Sequence, residues 1–273
     1  MPIYNFAEWA LLVCSHDGAI DILESWDYFH ANVYRNDINS LPIFYGLNFQ
    51  EYSNPSCVNA KAIQSFQLDW GKSICSWLDQ IRQPNILLIL DDIFVNKFSI
   101  QELSLMANDF ERNNYLYVSL KYSPAANLFV GGESPYKVAL GNGKYSVNLQ
   151  PSFWKRDYLY SLAEKVNTPW AFEIESSKVF ISSGFRNSHL SFYMRKIIFY
   201  EQFCERGRLY NRRLINIANK SDHLCLERQN VPILRQLISE LGLAKVKVFE
   251  FIRILPKLML NTCLLITSID SSD

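Results

Sequence analysis

The chain has 273 residues, of which 49% are hydrophobic and 14% aromatic, a composition that predicts a folded globular protein and excludes a disordered one. Lysine plus arginine equals aspartate plus glutamate, at 27 each, so the overall charge gives no indication of nucleic-acid binding. No stretch approaches the roughly 18 uninterrupted apolar residues of a transmembrane helix.

The six cysteines are scattered, without a CxxC pair and without a Cys/His cluster at zinc-ligand spacing. This pattern favours free thiols in a reducing cytosol over a disulfide framework. The N-terminal stretch lacks a basic region, and its apolar run is broken too early for a secretory signal. We therefore expect a cytoplasmic protein.

Strand and helix patterns alternate at the start of the chain. The apolar run Trp9 to Cys14 predicts a buried strand, and the polar turn Ser15 to Gly18 follows it. Apolar residues at helical spacing predict a helix over Ile20 to Ala31, and Pro42 to Phe49 predicts a second strand. Elements of these lengths predict a parallel β-α-β unit.

The next strand ends on two acids. A loop over Asn54 to Ala60 and an amphipathic helix over Leu68 to Ile81 lead to Ile86 to Leu90, whose five aliphatic residues predict a strand buried on both faces. Asp91 and Asp92 follow it, and we expect them at the carboxyl end of the strand, where open α/β sheets bind ligands. Such a pair can hold a divalent cation, which in turn can hold a diphosphate. Alternatively, the two acids start a turn and cap the next helix.

The tripeptide Gly71-Lys72-Ser73 invites comparison with a phosphate-binding P-loop. A P-loop needs a glycine five positions before its Gly-Lys pair, and that position is Phe66. We therefore expect an ordinary helical segment.

The second half of the chain departs from the β-α alternation. Glycines within Asn127 to Tyr145 predict a long flexible loop of the kind that folds over a site. The other predicted elements are a helix over Ile100 to Phe110, strands over Tyr115 to Leu120 and Tyr145 to Leu149, and a helix over Trp154 to Ala163 that Thr168-Pro169-Trp170 ends.

After Val231 the chain carries an apolar stripe interspersed with lysines and an arginine. This pattern predicts an amphipathic helical extension over residues 231–273. Residues 231–260 could lie in a membrane surface with their lysines toward lipid headgroups, or pack on the domain or on a second subunit.

Five segments, taken in order, resemble a family of bacterial glycosyltransferases found in polysaccharide, O-antigen and capsule assembly: WALLVCSHDG, DWGKSICSWLDQI, ILLILDDIF, YSVNLQPSFWKRDYL and TPWAFE. The resemblance covers roughly residues 9 to 175. Its most specific part pairs Leu149-Gln150 and Trp154-Lys155 with the segment Pro169 to Glu173. It implies a GT-A-like fold, that is, a Rossmann-like α/β nucleotide-sugar-binding fold with a mixed sheet flanked by helices.

Carried over by position, Asp91 and Asp92 correspond to the DxD-type acids that bind a metal and the diphosphate of the donor, although the third acid of that motif is absent here. The resemblance implies Mn2+ or Mg2+ as the cation and a nucleotide-sugar donor, most simply a UDP-sugar. Ser15 and Asp17 fall where such folds meet the base and ribose.

Sugar transfer needs positive charge on the leaving diphosphate and a base for the acceptor hydroxyl. Arg186 and Arg208, from a basic stretch, are candidates to supplement or replace the metal. Glu173 is the candidate base, because the flanking Trp170 and Phe172 could raise its pKa, and Glu175 is a rival.

Two tryptophans, Trp154 and Trp170, are candidates to stack on acceptor sugars, the alternative for each being a place in the core.

Together with these residues, the resemblance implies a glycosyltransferase that moves a sugar to a glycan or lipid-linked acceptor, with inversion, in surface polysaccharide synthesis. We expect a domain over residues 1–230, with a nucleotide-sugar-binding half (1–125) and an acceptor-side half (126–230), peripheral on the inner face of the cytoplasmic membrane. One rival is a noncatalytic carbohydrate- or nucleotide-binding protein. Another is a nucleotidyl- or phosphoryl-transfer enzyme that uses the same two acids.

Overall fold

The structure is a computed structural model that describes residues 6–33, 41–98, 100–120, 136–137, 147–182, 190–193, 198–205 and 208–209. The chain divides into two units, Met1–Arg228 and Gln229–Asp273, and everything described below belongs to the first. The predicted C-terminal extension lies outside the described residues, as does the predicted loop over 127–145 apart from residues 136–137. The predicted boundary at residue 230 stays a prediction.

A mixed eight-stranded sheet forms the centre of this unit, with the strand order β3-β2-β1-β4-β8-β6-β9-β7. Its strands are β1 (Trp9–Cys14), β2 (Ile43–Leu47), β3 (Ala60–Gln64), β4 (Asn85–Leu90), β6 (Tyr117–Ser119), β7 (Tyr136–Lys137), β8 (Ser152–Lys155) and β9 (Leu190–Tyr193). Within it β8 and β7 run antiparallel to their neighbours, and the other neighbouring pairs are parallel.

Two smaller antiparallel pairs complete the described strands. They are β5 (Ile93–Phe98) with β10 (Ile198–Gln202), and β11 (Cys204–Glu205) with β12 (Arg208–Leu209). The β5–β10 ribbon begins directly after the two acids that follow β4.

Helices cover both faces of the sheet, as α1 (Ile20–Tyr28, continuing as a π-helical turn over Phe29–Val33), α2 (Trp70–Asp79), α3 (Ile100–Arg112), α4 (Arg156–Ala163) and α5 (Pro169–Ser182). Alternate residues of β1 belong to different cores, because successive side chains of a strand point to opposite faces. Leu11 and Val13 belong to the core that contains α1 and α3, whereas Ala10 and Leu12 belong to the core that contains α2, α4 and α5. The predicted α/β class, with a mixed sheet between helices, is confirmed.

Gly71 confirms the helical interpretation of the Gly-Lys-Ser tripeptide. A Cβ atom at this position would lie 2.1 Å from the carbonyl oxygen of Val166 and 2.2 Å from that of Ala163. Gly71 therefore permits close packing of α2 against the end of α4, and the tripeptide does not cradle a phosphate.

Three predictions in the second half of the chain are wrong. Residues 147–149 are not a strand, and the next strand is β8, so the helix predicted from Trp154 begins only at Arg156. Pro169 starts α5 instead of ending a helix, because proline suits the first position of a helix, and the Thr168 hydroxyl accepts a hydrogen bond from the Ala171 amide at 3.2 Å.

The four described cysteines, Cys14, Cys57, Cys75 and Cys204, are free and buried, as predicted. Among the described helices, none is long and apolar enough to cross a membrane.

Candidate functional site

The carboxyl ends of β1 and β4 lie at a topological switch point of the sheet. From β1 the chain moves outward to β2 and β3, and it then returns to β4 on the other side of β1. In open α/β sheets, ligands bind in the crevice beside such a point, outside the carboxyl ends of the strands. The register aligns Cys14 with Leu90, so Ser15 and Asp91 leave the sheet next to each other.

Ser15 and Asp91 are joined directly. The Ser15 hydroxyl donates a hydrogen bond of 2.6 Å to Asp91 Oδ2, and the Asp91 amide donates to the carbonyl oxygen of Cys14 at 3.1 Å. Ser15 is buried, with 7% of its surface exposed. A charge-assisted hydrogen bond of this length fixes the orientation of the Asp91 carboxylate. The Ser15 hydroxyl therefore points to Asp91, and the predicted contact of Ser15 with a base or ribose stays a prediction.

Asp92 has an unusual environment. Its Oδ1 atom is buried and has no hydrogen-bond partner among the described residues, and burial raises its pKa to about 6. The salt bridges found in the described part of the chain join Lys72 to Asp69, Arg156 to Asp157 and Lys178 to Glu175, so none involves Asp92. A buried oxygen without a partner calls for an explanation, and a bound cation supplies one.

The two carboxylates can supply part of the coordination of a divalent cation, with phosphate or water oxygens as the other ligands. Neighbouring carboxylates suit Mg2+ or Mn2+, and Mg2+ is usually bound through one or two carboxylates together with phosphate and water oxygens. Across the described residues, no group of three or more His, Cys, Asp or Glu side chains could hold a metal. The site therefore suits a cation that completes its coordination with water or phosphate oxygens, rather than one enclosed by protein ligands.

The alternative interpretation, in which the two acids cap a helix, is wrong. Asp91 and Asp92 do form a turn, but this turn leads into β5, and α3 begins only at Ile100.

Asp17 has a role that the sequence did not predict. Its carboxylate accepts hydrogen bonds from three successive backbone amides, those of Asn48 at 3.0 Å, Phe49 at 3.0 and 3.1 Å and Gln50 at 3.2 Å. It thereby shapes the loop that follows β2 at the carboxyl edge of the sheet. The predicted contact of Asp17 with a ribose stays a prediction.

Glu173 reaches the same edge from α5. Its Oε1 accepts a hydrogen bond of 2.8 Å from the Leu149 amide. Leu149 lies just before β8, whose first residue, Ser152, pairs with Leu88 near the end of β4. Glu175, the rival base, lies on the surface and pairs with Lys178 at 2.6 Å.

Side chains from several elements hold the segment around Leu149. The Val147 amide donates to Ser177 Oγ, the Asn148 amide donates to the Tyr117 hydroxyl, and the Tyr200 hydroxyl donates to Gln150 Oε1. Glu173 therefore binds a segment that several hydrogen bonds hold in place at this edge of the sheet.

The two tryptophans predicted to bind acceptor sugars differ in exposure. Trp154 is fully buried in β8, with its ring centroid 4.3 Å from that of Tyr117 and its indole nitrogen donating to Ser152 Oγ. No ring face of Trp154 is open to a sugar, so the prediction of acceptor binding by Trp154 is wrong. Trp170 lies in the first turn of α5 with 68% of its surface exposed, which keeps it available.

The roles of the two candidate arginines stay predictions. Arg186 lies outside the described residues, and Arg208 belongs to β12.

A further buried carboxylate has a structural function that its local sequence did not indicate. Asp27 of α1 is fully buried and accepts hydrogen bonds from the Tyr45 and Tyr52 hydroxyls and from the Ser56 and Cys57 amides. Burial alone would raise its pKa, but these hydrogen bonds outweigh burial and lower it. Asp27 anchors the loop before β3, which enters the sheet at the amino edge, away from the acid pair.

No protein-family model and no curated protein matches the chain. Several solved structures resemble it. S. aureus TarS in complex with UDP-GlcNAc is 13% identical, with a TM-score of 0.43 over 74% of this chain and 60% of that chain. The galactosyltransferase LgtC, in complex with donor and acceptor sugar analogues, is 9% identical, with a TM-score of 0.43 over 82% of this chain and 97% of that chain.

A cytidylyltransferase from Leptospira borgpetersenii is 9% identical, with a TM-score of 0.41 over 79% of this chain and 95% of that chain. The match to a longer TarS chain covers 36% of the length of that TarS chain. Similarities at this level of identity and TM-score assign neither an activity nor a site to the chain.

Proposed function

We propose that this chain is a GT-A-like glycosyltransferase of the hexosyltransferase class, in which Asp91 and Asp92 bind a divalent cation together with the diphosphate of a nucleotide-sugar. One observation carries the proposal. Two adjacent carboxylates leave the central strand at the switch point, one of them oriented by Ser15 and the other with a buried oxygen that has no partner among the described residues.

The donor side of the site follows from these residues. Mn2+ or Mg2+, when bound by Asp91 and Asp92, would neutralise the charge that develops on the leaving diphosphate. The loop shaped by Asp17 borders the same edge and is our candidate for contact with the base and ribose of a UDP-sugar, with Ser15 beside it. Arg186 and Arg208 are the candidates to add positive charge.

Glu173 is the proposed general base on the acceptor side. Its attachment to Leu149 fixes the carboxylate at the edge where the acid pair lies, which supports a positioned base. A single base suffices for inversion, and Trp170 is our candidate to stack on the acceptor.

We place the acceptor among glycans and lipid-linked oligosaccharides of surface polysaccharide synthesis, of the O-antigen or capsule type. In this proposal the enzyme works in the cytoplasm, with residues 231–260 at the inner face of the membrane.

Donor cleavage tests the proposal. The purified full chain is incubated with UDP-, GDP- and CMP-sugars, with Mn2+ or EDTA, and released nucleotide and pyrophosphate are quantified with water or a panel of glycans as acceptor. We expect metal-dependent release of the nucleotide from one donor, lost in Asp92→Asn and retained in the control Asp157→Asn, whose side chain is 89% exposed.

The rival functions are separated by two additional measurements, one with a nucleoside triphosphate and a sugar phosphate as substrates and one of nucleotide-sugar binding. Pyrophosphate release from a nucleoside triphosphate and a sugar phosphate would indicate a nucleotidyltransferase. Binding of a nucleotide-sugar without turnover would indicate a noncatalytic binding protein. Indifference to every nucleotide would overturn the proposal.

A further inference from the structure

Two side chains, from α1 and from the π-helical turn that follows it, bind β5, the strand that begins directly after the acid pair. The indole nitrogen of Trp26 donates a hydrogen bond of 2.9 Å to the carbonyl oxygen of Ile93, the residue directly after Asp92. The Val95 amide donates to His30 Nε2 at 3.2 Å. Both side chains are fully buried, so these bonds are shielded from competing water.

Trp26 and His30 act as one unit. Their rings stack with centroids 3.6 Å apart and planes 17° from parallel, and His30 Nδ1 lies 2.6 Å from the carbonyl oxygen of Trp26. Since a carbonyl only accepts, Nδ1 carries the proton and Nε2 is the acceptor for the Val95 amide. The imidazole is therefore neutral, in agreement with burial that lowers its pKa to about 3. His30 lies in the π-helical turn after α1.

The backbone around Asp92 is fixed on both sides. The Phe203 amide donates to the carbonyl oxygen of Asp92 at 2.7 Å, and β10 pairs with the remaining edge of β5. Upstream, Asp91 is tied to β1 through the Cys14 carbonyl and the Ser15 hydroxyl. Trp26 binds the carbonyl group of Ile93, the residue next to Asp92, so it is placed to determine where the Asp92 side chain points.

We propose that Trp26 and His30 are positioning residues that hold Asp92 in its cation-binding orientation through the backbone of β5, an inference that rests on the proposed metal site. Hydrogen-bonded groups behind metal ligands typically change metal affinity by about 10- to 100-fold when they are lost, without touching the metal. We expect a similar loss of metal affinity here when the hydrogen bonds from Trp26 to Ile93 and from Val95 to His30 are removed.

Mn2+ binding to the full chain measures the effect, through loss of the electron paramagnetic resonance signal of the free ion. We expect Trp26→Phe to weaken binding by about 10-fold. The matched control is Trp9→Phe, because Trp9 is equally buried and its indole nitrogen donates to Glu111 at 2.9 Å, near the amino end of β1. The control should bind Mn2+ within about 2-fold of the wild type, since Trp9 lies away from the metal ligands.

A second pair of variants keeps the test decisive if Trp26→Phe does not fold. His30→Gln retains an oxygen that can accept from the Val95 amide, whereas His30→Leu removes that acceptor. We expect His30→Leu to weaken Mn2+ binding by about 10-fold and His30→Gln to restore most of it.

The possible failures are distinguishable. If the wild type binds no Mn2+, the proposed metal site is overturned and this inference with it. If the wild type binds Mn2+ while Trp26→Phe and His30→Leu bind equally well, only the positioning role is overturned. Equal weakening by Trp26→Phe and Trp9→Phe would also overturn it, because the effect would then be general destabilisation.

Discussion

Asp92 makes the metal-free protein less stable than it could be. Its pKa rises from 3.8 to about 6 because of burial, so the ionised carboxylate costs about 3 kcal/mol in the folded state. The folded protein binds this proton more tightly than the unfolded chain, so the free energy of unfolding falls as pH rises between about 4 and about 7. Asp92→Asn removes this titration, although the amide keeps a buried polar group.

Urea unfolding in EDTA, followed across this pH range, measures the effect. The difference in unfolding free energy, Asp92→Asn minus wild type, should grow by about 2 kcal/mol between about pH 4.5 and about pH 7.5. Asp157→Asn serves as a control, because the Asp157 side chain is 89% exposed, and its difference should stay nearly constant. Saturating Mn2+ should raise the unfolding free energy of the wild type and leave that of Asp92→Asn unchanged, since a ligand stabilises only the state that binds it.

A difference that is independent of pH, or that shrinks as pH rises, would refute this reasoning. Either result would mean that the Asp92 carboxylate is solvated or paired in solution. Its buried oxygen would then have a partner other than a cation.

Three other substitutions test the structural account. Asp27→Asn should destabilise the protein by about 3 kcal/mol or more at neutral pH, and urea unfolding should show this deficit shrinking below about pH 4, because the hydrogen bonds that lower the pKa of Asp27 are lost as it is protonated. Gly71→Ala should cost at least about 2 kcal/mol in thermal unfolding because its Cβ meets backbone oxygens, whereas Lys72→Ala, at a side chain 63% exposed, should stay within about 0.5 kcal/mol. Glu173→Gln keeps an acceptor for its backbone partner, so the fold should persist while kcat falls by about 100-fold or more; an unchanged kcat, as expected for Glu175→Gln, would exclude Glu173 as the base.

Long aliphatic runs made the centre of the sheet predictable. The bounds of β1 were predicted correctly, and the predicted strand Ile86 to Leu90 lies within β4, because a run without polar residues can only be buried. The position of Asp91 and Asp92 at the carboxyl edge followed from the same rule.

Strands that depend on partners distant in sequence were missed. β3 is an edge strand whose residues are mostly half-exposed, so its sequence, AKAIQ, lacks a continuous apolar pattern. β5 contains Asn96 and Lys97 and is held by β10, by Trp26 and by His30, and these contacts are not visible in the local sequence.

The roles of individual site residues were the least predictable part. The Ser15–Asp91 hydrogen bond, the capture of three amides by Asp17 and the burial of Trp154 all depend on how separate elements pack. Trp154 shows the difficulty clearly, because a tryptophan in a core and a tryptophan in a sugar site have the same sequence signature.

Isothermal titration calorimetry tests the metal-dependent donor site most directly. UDP, GDP and CDP are titrated, with Mn2+ and with EDTA, into the wild type, Asp91→Asn and Asp92→Asn. The account predicts that one nucleoside diphosphate binds the wild type more tightly with Mn2+ than with EDTA, and that either substitution abolishes this gain. Equal affinities with Mn2+ and EDTA, or a gain that survives in Asp92→Asn, would contradict it.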